Sequence, residues 1–301
     1  MPSFLFQRPQ KSRSGFSVVE LLVVIGIISV LMALISAGVF TAMRYAQDSA
    51  QKWELTTISE SLEAYKNKYG AYPPDFSEID AVYAHLAAAF PDQTNDDRNA
   101  VIAYIYGPEQ LQDGTNDLNQ THALYFFLSG LSADLENPFI GTGGPLSDNY
   151  GNEPRDELFE FKAAQLKSSQ PFAAADPTDM RTVFIYLPSG VTSIQNPIVY
   201  FNHKTYGYNP DGTPNPAFLT FTHSIGSTDT NHYPHPYLFA DGNDAEPYCN
   251  PNSFQLITAG RDELYDTLTT GIYPGNGDPT KISIRAADNI TNFSTGTTLG
   301  S

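Results

Sequence analysis

The stretch "KSRSGFSVVELLVVIGIISVLMALISAGVF", Lys11 to Phe40, constrains this chain more than any other part of it. From Val18 to Phe40 every residue is apolar or small except Glu20, Ser29 and Ser36. About 20 such residues, rising about 1.5 Å each, make a helix that spans a hydrocarbon layer of about 30 Å. Arg8, Lys11 and Arg13 precede the run with no acidic residue among them, so the positive-inside rule predicts residues 1–15 in the cytoplasm and the remainder outside. Glu20 is the anomaly. A carboxylate in a membrane helix costs about 2.5–3.5 kcal/mol at mid-bilayer on insertion scales, and somewhat less near the interface, so it needs a partner. A secretory signal would also have a basic start and an apolar middle, and Ser36-Ala37-Gly38 offers a small-x-small cleavage site. That reading gives Glu20 no role.

The order of basic leader, Gly15, Phe16, three further residues, Glu20 and an unbroken apolar helix resembles the prepilin-type N-terminal cleavage and methylation motif of type IV pilins and type II secretion pseudopilins. The resemblance implies that residues 1–15 are a leader peptide, cut between Gly15 and Phe16 by a membrane-embedded prepilin peptidase that then methylates the Phe16 amine. It also implies that Glu20 pairs with the free N-terminal amine of a neighbouring subunit during assembly. Two charges that are each costly in lipid become less so when paired, which makes another copy of the chain, or another pilin or pseudopilin, the expected partner. An inner-membrane assembly platform is implied as a further partner.

The helix is predicted to run on from residue 16 to 69, with residues 16–40 as its transmembrane and assembly part. Between Ala42 and Tyr69 there is no Pro or Gly, and Leu55, Ile58, Leu62, Tyr65 and Tyr69 recur at spacings of three and four, which marks one apolar stripe. Gly70, Pro73 and Pro74 then end it. "YKNKYGAYPPDF", Tyr65 to Phe76, is similar to the helix exit of major pseudopilins.

Residues 70–301 are predicted to form a periplasmic or extracellular α+β head: a type IV pilin-like antiparallel sheet packed on the long helix, with large loop insertions near residues 91–120 and 140–250. Ala81–Phe90 and Ala123–Leu131 read as short helices, being apolar runs without internal Pro. Phe159–Lys162, Thr182–Leu187, Ile198–Asn202, Phe218–Thr222 and Ser253–Ala259 read as strands, β-branched or aromatic and bounded by turn signals.

Candidate ligand sites follow from residue types. The segment Phe254 to Ser294 resembles the last strand and loop of pseudopilins that bind calcium, which implies Asp262, Asp266 and Asp288 as oxygen ligands; solvated loop acids are the plainer reading. His223, His232 and His235 lie close in sequence, as a transition-metal site requires, but no helical spacing places them on one face. Cys249 is the single cysteine, so no internal disulfide forms. Ser189-Gly190 lacks the G-x-S-x-G of a nucleophile elbow, and "GTGGP" from Gly141 to Pro145 lacks the strand and helix that flank a phosphate-cradling loop. Asn289 and Asn292 match glycosylation acceptors, but a prepilin-type leader implies a bacterial host, where such matches are usually chance. No catalytic residues are expected.

Composition excludes one class. With 33 acidic against 16 basic residues in 301, the formal charge is −17, a surface that repels nucleic acid. The expected function is a structural subunit of a pilus-like filament, with a type II secretion pseudopilin ahead of a type IV pilus pilin, major or minor. Two other classes stay open at this point: a secreted or membrane-anchored ligand-binding protein with aromatic loops, and an anchored metalloenzyme using the His223–His235 stretch.

Overall fold

The structure, a computed structural model, describes residues 15–107, 118–147, 155–169, 183–206, 234, 236–239, 248–265, 272–273 and 286–300. The chain divides into two compact units, residues 1–46 and 47–301. A single helix, α1 (Val18–Tyr69), supplies the helical part of the first unit and the opening helix of the second.

In the first unit no part of the apolar window of α1 is buried within the chain. Its two interior hydroxyls are satisfied by the helix itself, since Ser29 Oγ donates to Ile25 O and Ser36 Oγ to Met32 O, each at 2.7 Å. The segment therefore presents no unpaired hydroxyl to an apolar surrounding.

In the second unit the predicted stripe is the core. Leu55, Ile58, Leu62 and Tyr65 are fully buried, each such side chain being worth about 1.5–3 kcal/mol of transfer free energy. Gly70 ends α1 in the left-handed region (φ +83), and its amide donates back to Lys66 O at 2.8 Å. Around this stripe pack α2 (Ile79–Ala89), α3 (Asn95–Tyr106) and α4 (Ala123–Leu128). Helix α3 falls in a segment expected to be an insertion. Thr94 caps it, its hydroxyl accepting from Asp97 N at 3.2 Å, and Val101, Ile102 and Ile105 join the core. Helix α4 stops three residues before the expected Leu131, because Gly130 takes φ +108.

The strands form small separate sheets. The pair β1 (Leu166–Ser169) and β2 (Val183–Tyr186) is antiparallel, with Leu166 opposite Tyr186. A three-stranded antiparallel sheet has the order β3-β5-β7, from β3 (Val199–Asn202), β5 (Phe254–Thr258) and β7 (Ile290–Thr291). Two-residue strands β4 (Leu238–Phe239) and β6 (Ile272–Tyr273) pair in parallel. The α+β class holds, and among the described residues the strands fall in these three sheets.

The strand expected at Phe159–Lys162 is not formed. The amides of Leu158 and Phe159 both donate to Leu128 O, at 3.1 and 3.2 Å, and the rings of Phe159 and Phe161 pack on Tyr186. The alternating aromatics there mark a loop with one buried side, and the strand follows it at Leu166. Phe218–Thr222 lies outside the described residues. Strand β5 is buried at all five positions because the three-stranded sheet is covered on both faces. Tyr200, Phe254 and Leu256 face the α1 core, while Val199, Phe201 and Ile257 meet a second cluster with Tyr206, Tyr237, Cys249, Tyr265 and Leu299.

Candidate functional site

At the start of α1, Ser17 and Glu20 form a reciprocal cap. Val19 N donates to Ser17 Oγ at 3.2 Å, and Ser17 N donates to Glu20 Oε2 at 2.9 Å. This is an S-x-x-E cap of the capping-box type, with the hydroxyl on the N2 rather than the N3 amide; it satisfies two of the four amides that a helix N-terminus leaves without partners and places a carboxylate at the positive end of the helix dipole. Within one chain, then, the carboxylate already has a structural task. Ser17-Val18-Val19-Glu20 carries that signal in sequence. Phe16 is 84 % exposed beside the cap, and a Cβ at Gly15 would meet nothing within 4 Å.

Further along α1, a polar cluster that the stripe argument missed fixes the helix to the rest of the second unit. Asp48, Gln51 and Glu54 are buried. Gln51 Nε2 donates to Ser189 O at 2.9 Å. The Glu54 carboxylate accepts from Tyr186 Oη (2.9 Å), Ser189 N (2.8 Å) and Gln165 Nε2 (2.8 Å), with Lys162 Nζ at 3.5 Å. Lys52 Nζ donates to Thr291 O (2.6 Å), Ser294 O (2.8 Å) and Ser294 Oγ (3.0 Å). Burial pulls the Lys52 pKa below the usual lysine value. The signal for this cluster was present: Gln51, Leu55, Ile58 and Leu62 share one helical face, so the apolar stripe continues downward as polar residues.

The expected calcium ligands fall as follows. Asp288 Oδ2 accepts from Arg261 N (2.7 Å) and Asp262 N (3.0 Å), and Asp262 Oδ1 accepts from Leu264 N (2.9 Å). Arg261 pairs with Asp48 Oδ2 at 3.1 Å. Burial raises the Asp48 pKa, with the Arg261 guanidinium opposing and Asp288 adding to the rise. Asp288 Oδ1 is buried with no hydrogen-bond partner. Asp266 lies outside the described residues, and among the described residues no three His, Cys, Asp or Glu are placed to hold a metal ion. The two described carboxylates, Asp262 and Asp288, act as turn acceptors.

The other sequence candidates resolve simply. His223, His232 and His235 lie outside the described residues. Cys249 is buried, which pushes its thiol pKa up and makes it unreactive. Ser189 is the turn that docks on Gln51 and Glu54. In "GTGGP" the amides of Gly141 and Gly144 are spent within the loop, on Asn137 O and Gly141 O, and so cannot cradle a phosphate. Asn289 is fully buried. With its amide oxygen accepting from Tyr237 Oη (2.9 Å), its nitrogen donates to Ala259 O (3.1 Å) and Leu264 O (3.2 Å), so the folded head withholds it from modification.

A family model described as "Prokaryotic N-terminal methylation motif" matches residues 10–36, the stretch that holds Gly15, Phe16, the Ser17–Glu20 cap and most of the apolar window. No curated protein and no solved structure matches the chain. The motif implies processing by a prepilin peptidase and assembly with other pilins in a membrane, and the exposed apolar helix is consistent with membrane anchoring. The match covers residues 10–36 of 301 and describes the N-terminal segment alone.

Proposed function

We propose that this chain is a structural subunit of a pilus-like filament, and specifically a type II secretion pseudopilin. In this reading the leader is cut between Gly15 and Phe16, and Phe16 is N-methylated. The mature chain sits in the inner membrane with a periplasmic head until its helix is drawn into the filament by an assembly platform. The observation that carries the reading is the position of Glu20 within the methylation motif. Its Oε2 serves the cap on Ser17 N, while the same carboxylate stays at an exposed helix end where a neighbouring subunit's Phe16 amine can reach its other oxygen. The likeness of the Tyr65–Phe76 segment to a major-pseudopilin helix exit supports the specific choice. There Gly70 turns the chain, and Tyr72 Oη donates to Glu63 Oε1 at 2.6 Å.

The two tasks of Glu20 are separable by substitution. Glu20→Gln keeps an acceptor for the capping box and removes the charge; Glu20→Ala removes both. The proposal expects the leader of both variants to be cut and both to enter filaments poorly, read as the fraction of processed subunit recovered in sheared or cross-linked polymer. If Glu20→Gln polymerises like the wild type, capping alone explains the residue and the pairing argument fails.

A further inference from the structure

The last described segment, residues 286–300, has to be held against α1 without a disulfide. It begins with a 3-10 turn (Ala286–Asp288), forms β7, and closes on itself where Leu299 N donates to Asn289 O (2.9 Å) and Gly300 N to Ala287 O (2.8 Å). At the neck of this loop, Thr291 O, Ser294 O and Ser294 Oγ converge within 3.0 Å of one point, and that point is the Lys52 ammonium. Two carbonyls and a hydroxyl form the kind of oxygen set that binds a hard cation. Three acceptors match the three protons of –NH₃⁺, and a neutral amine has only two to offer. One turn earlier on the same face of α1, Asp48 holds Arg261, whose backbone amide is in turn held by Asp288. The segment is thus tied to α1 twice, each time through a positive side chain.

We propose that Lys52 is the built-in cation of this head: its ammonium fills an oxygen cage made by the C-terminal loop, and it does the fastening that a bound divalent ion would otherwise do. The fastening of residues 286–300 to α1 is then independent of calcium. This inference does not rest on the filament reading, since it concerns how the head is held together whatever the N-terminal helix assembles into.

The test is amide hydrogen exchange, followed by mass spectrometry, on the full chain in detergent, in EDTA and in millimolar calcium. In wild type, exchange across residues 286–300 is expected to be the same in both. In Lys52→Met it is expected to rise by about tenfold or more in that segment, with calcium failing to restore it and amides of α2 unaffected. Should Lys52→Met not fold, Lys52→Gln, which keeps two donors without the charge, is read by the same measure. Faster exchange of wild-type residues 286–300 in EDTA, or unchanged protection in the folded variant, overturns the proposal. Neither result bears on Glu20.

Discussion

Tyr65 Oη and His85 Nε2 meet at 2.9 Å inside the core, joining the apolar stripe of α1 to α2. His85 is 8 % exposed and packs edge-on to Phe90 and Phe127. Burial, and secondarily the Lys204 charge, push its pKa down from 6.5 to about 4.

The direction of the resulting pH dependence is fixed. Between the two pKa values the unfolded chain takes up a proton that the folded chain refuses, so stability is fully present above 6.5 and is lost as pH falls toward about 4. The full effect is of order 3 kcal/mol. His85→Phe should flatten this part of the stability–pH curve, while costing about 1–3 kcal/mol at neutral pH by leaving the Tyr65 hydroxyl unpaired. Urea midpoints of both proteins across the interval check it; parallel curves would contradict the assignment.

Glu54 gathers donors from Tyr186, Ser189 and Gln165 in a buried setting. Glu54→Ala strands them, so a loss of about 3–5 kcal/mol is expected, measured by chemical unfolding. Exposed Glu60→Ala should change stability by less than about 0.5 kcal/mol.

Two glycines with positive φ differ in their surroundings. Gly70 (φ +83) has open space where a Cβ would stand, so Gly70→Ala should cost only the conformational penalty of about 1 kcal/mol. At Gly260 (φ +66) the Cβ would fall 2.4 Å from Asp288 O, so Gly260→Ala must also shift the turn that carries Arg261 and Asp262. Its loss of stability should exceed that of Gly70→Ala by about 1 kcal/mol or more, in the same unfolding assay.

What was legible in the sequence follows from which forces leave a period. Leu55, Ile58, Leu62 and Tyr65 are apolar at helical spacing, and they are the core. Strand β5 was legible as a continuous apolar run, but its second covered face was not, since periodicity does not say how many layers bury a strand. Phe159 and Phe161 alternate like a strand and are loop residues, because a buried side is all that alternation reports. Helix α3 opens with Asn95, Asp96, Asp97 and Arg98, which hide its apolar half; the Thr94-to-Asp97 cap was the readable sign. Asp48, Gln51, Lys52 and Glu54 look like a solvated face, and only tertiary partners from residues 162–294 make them an anchor. At the candidate site, the methylation motif was legible, whereas the Ser17–Glu20 cap was hidden behind the larger cost of a carboxylate in lipid.

The most direct measurement is the identity of the first residue of the protein extracted from bacterial membranes, by N-terminal sequencing together with intact mass. The account predicts a chain beginning at Phe16 and carrying one methyl group on its amine. A chain that keeps residues 1–15, or one cut after Gly38, would contradict it.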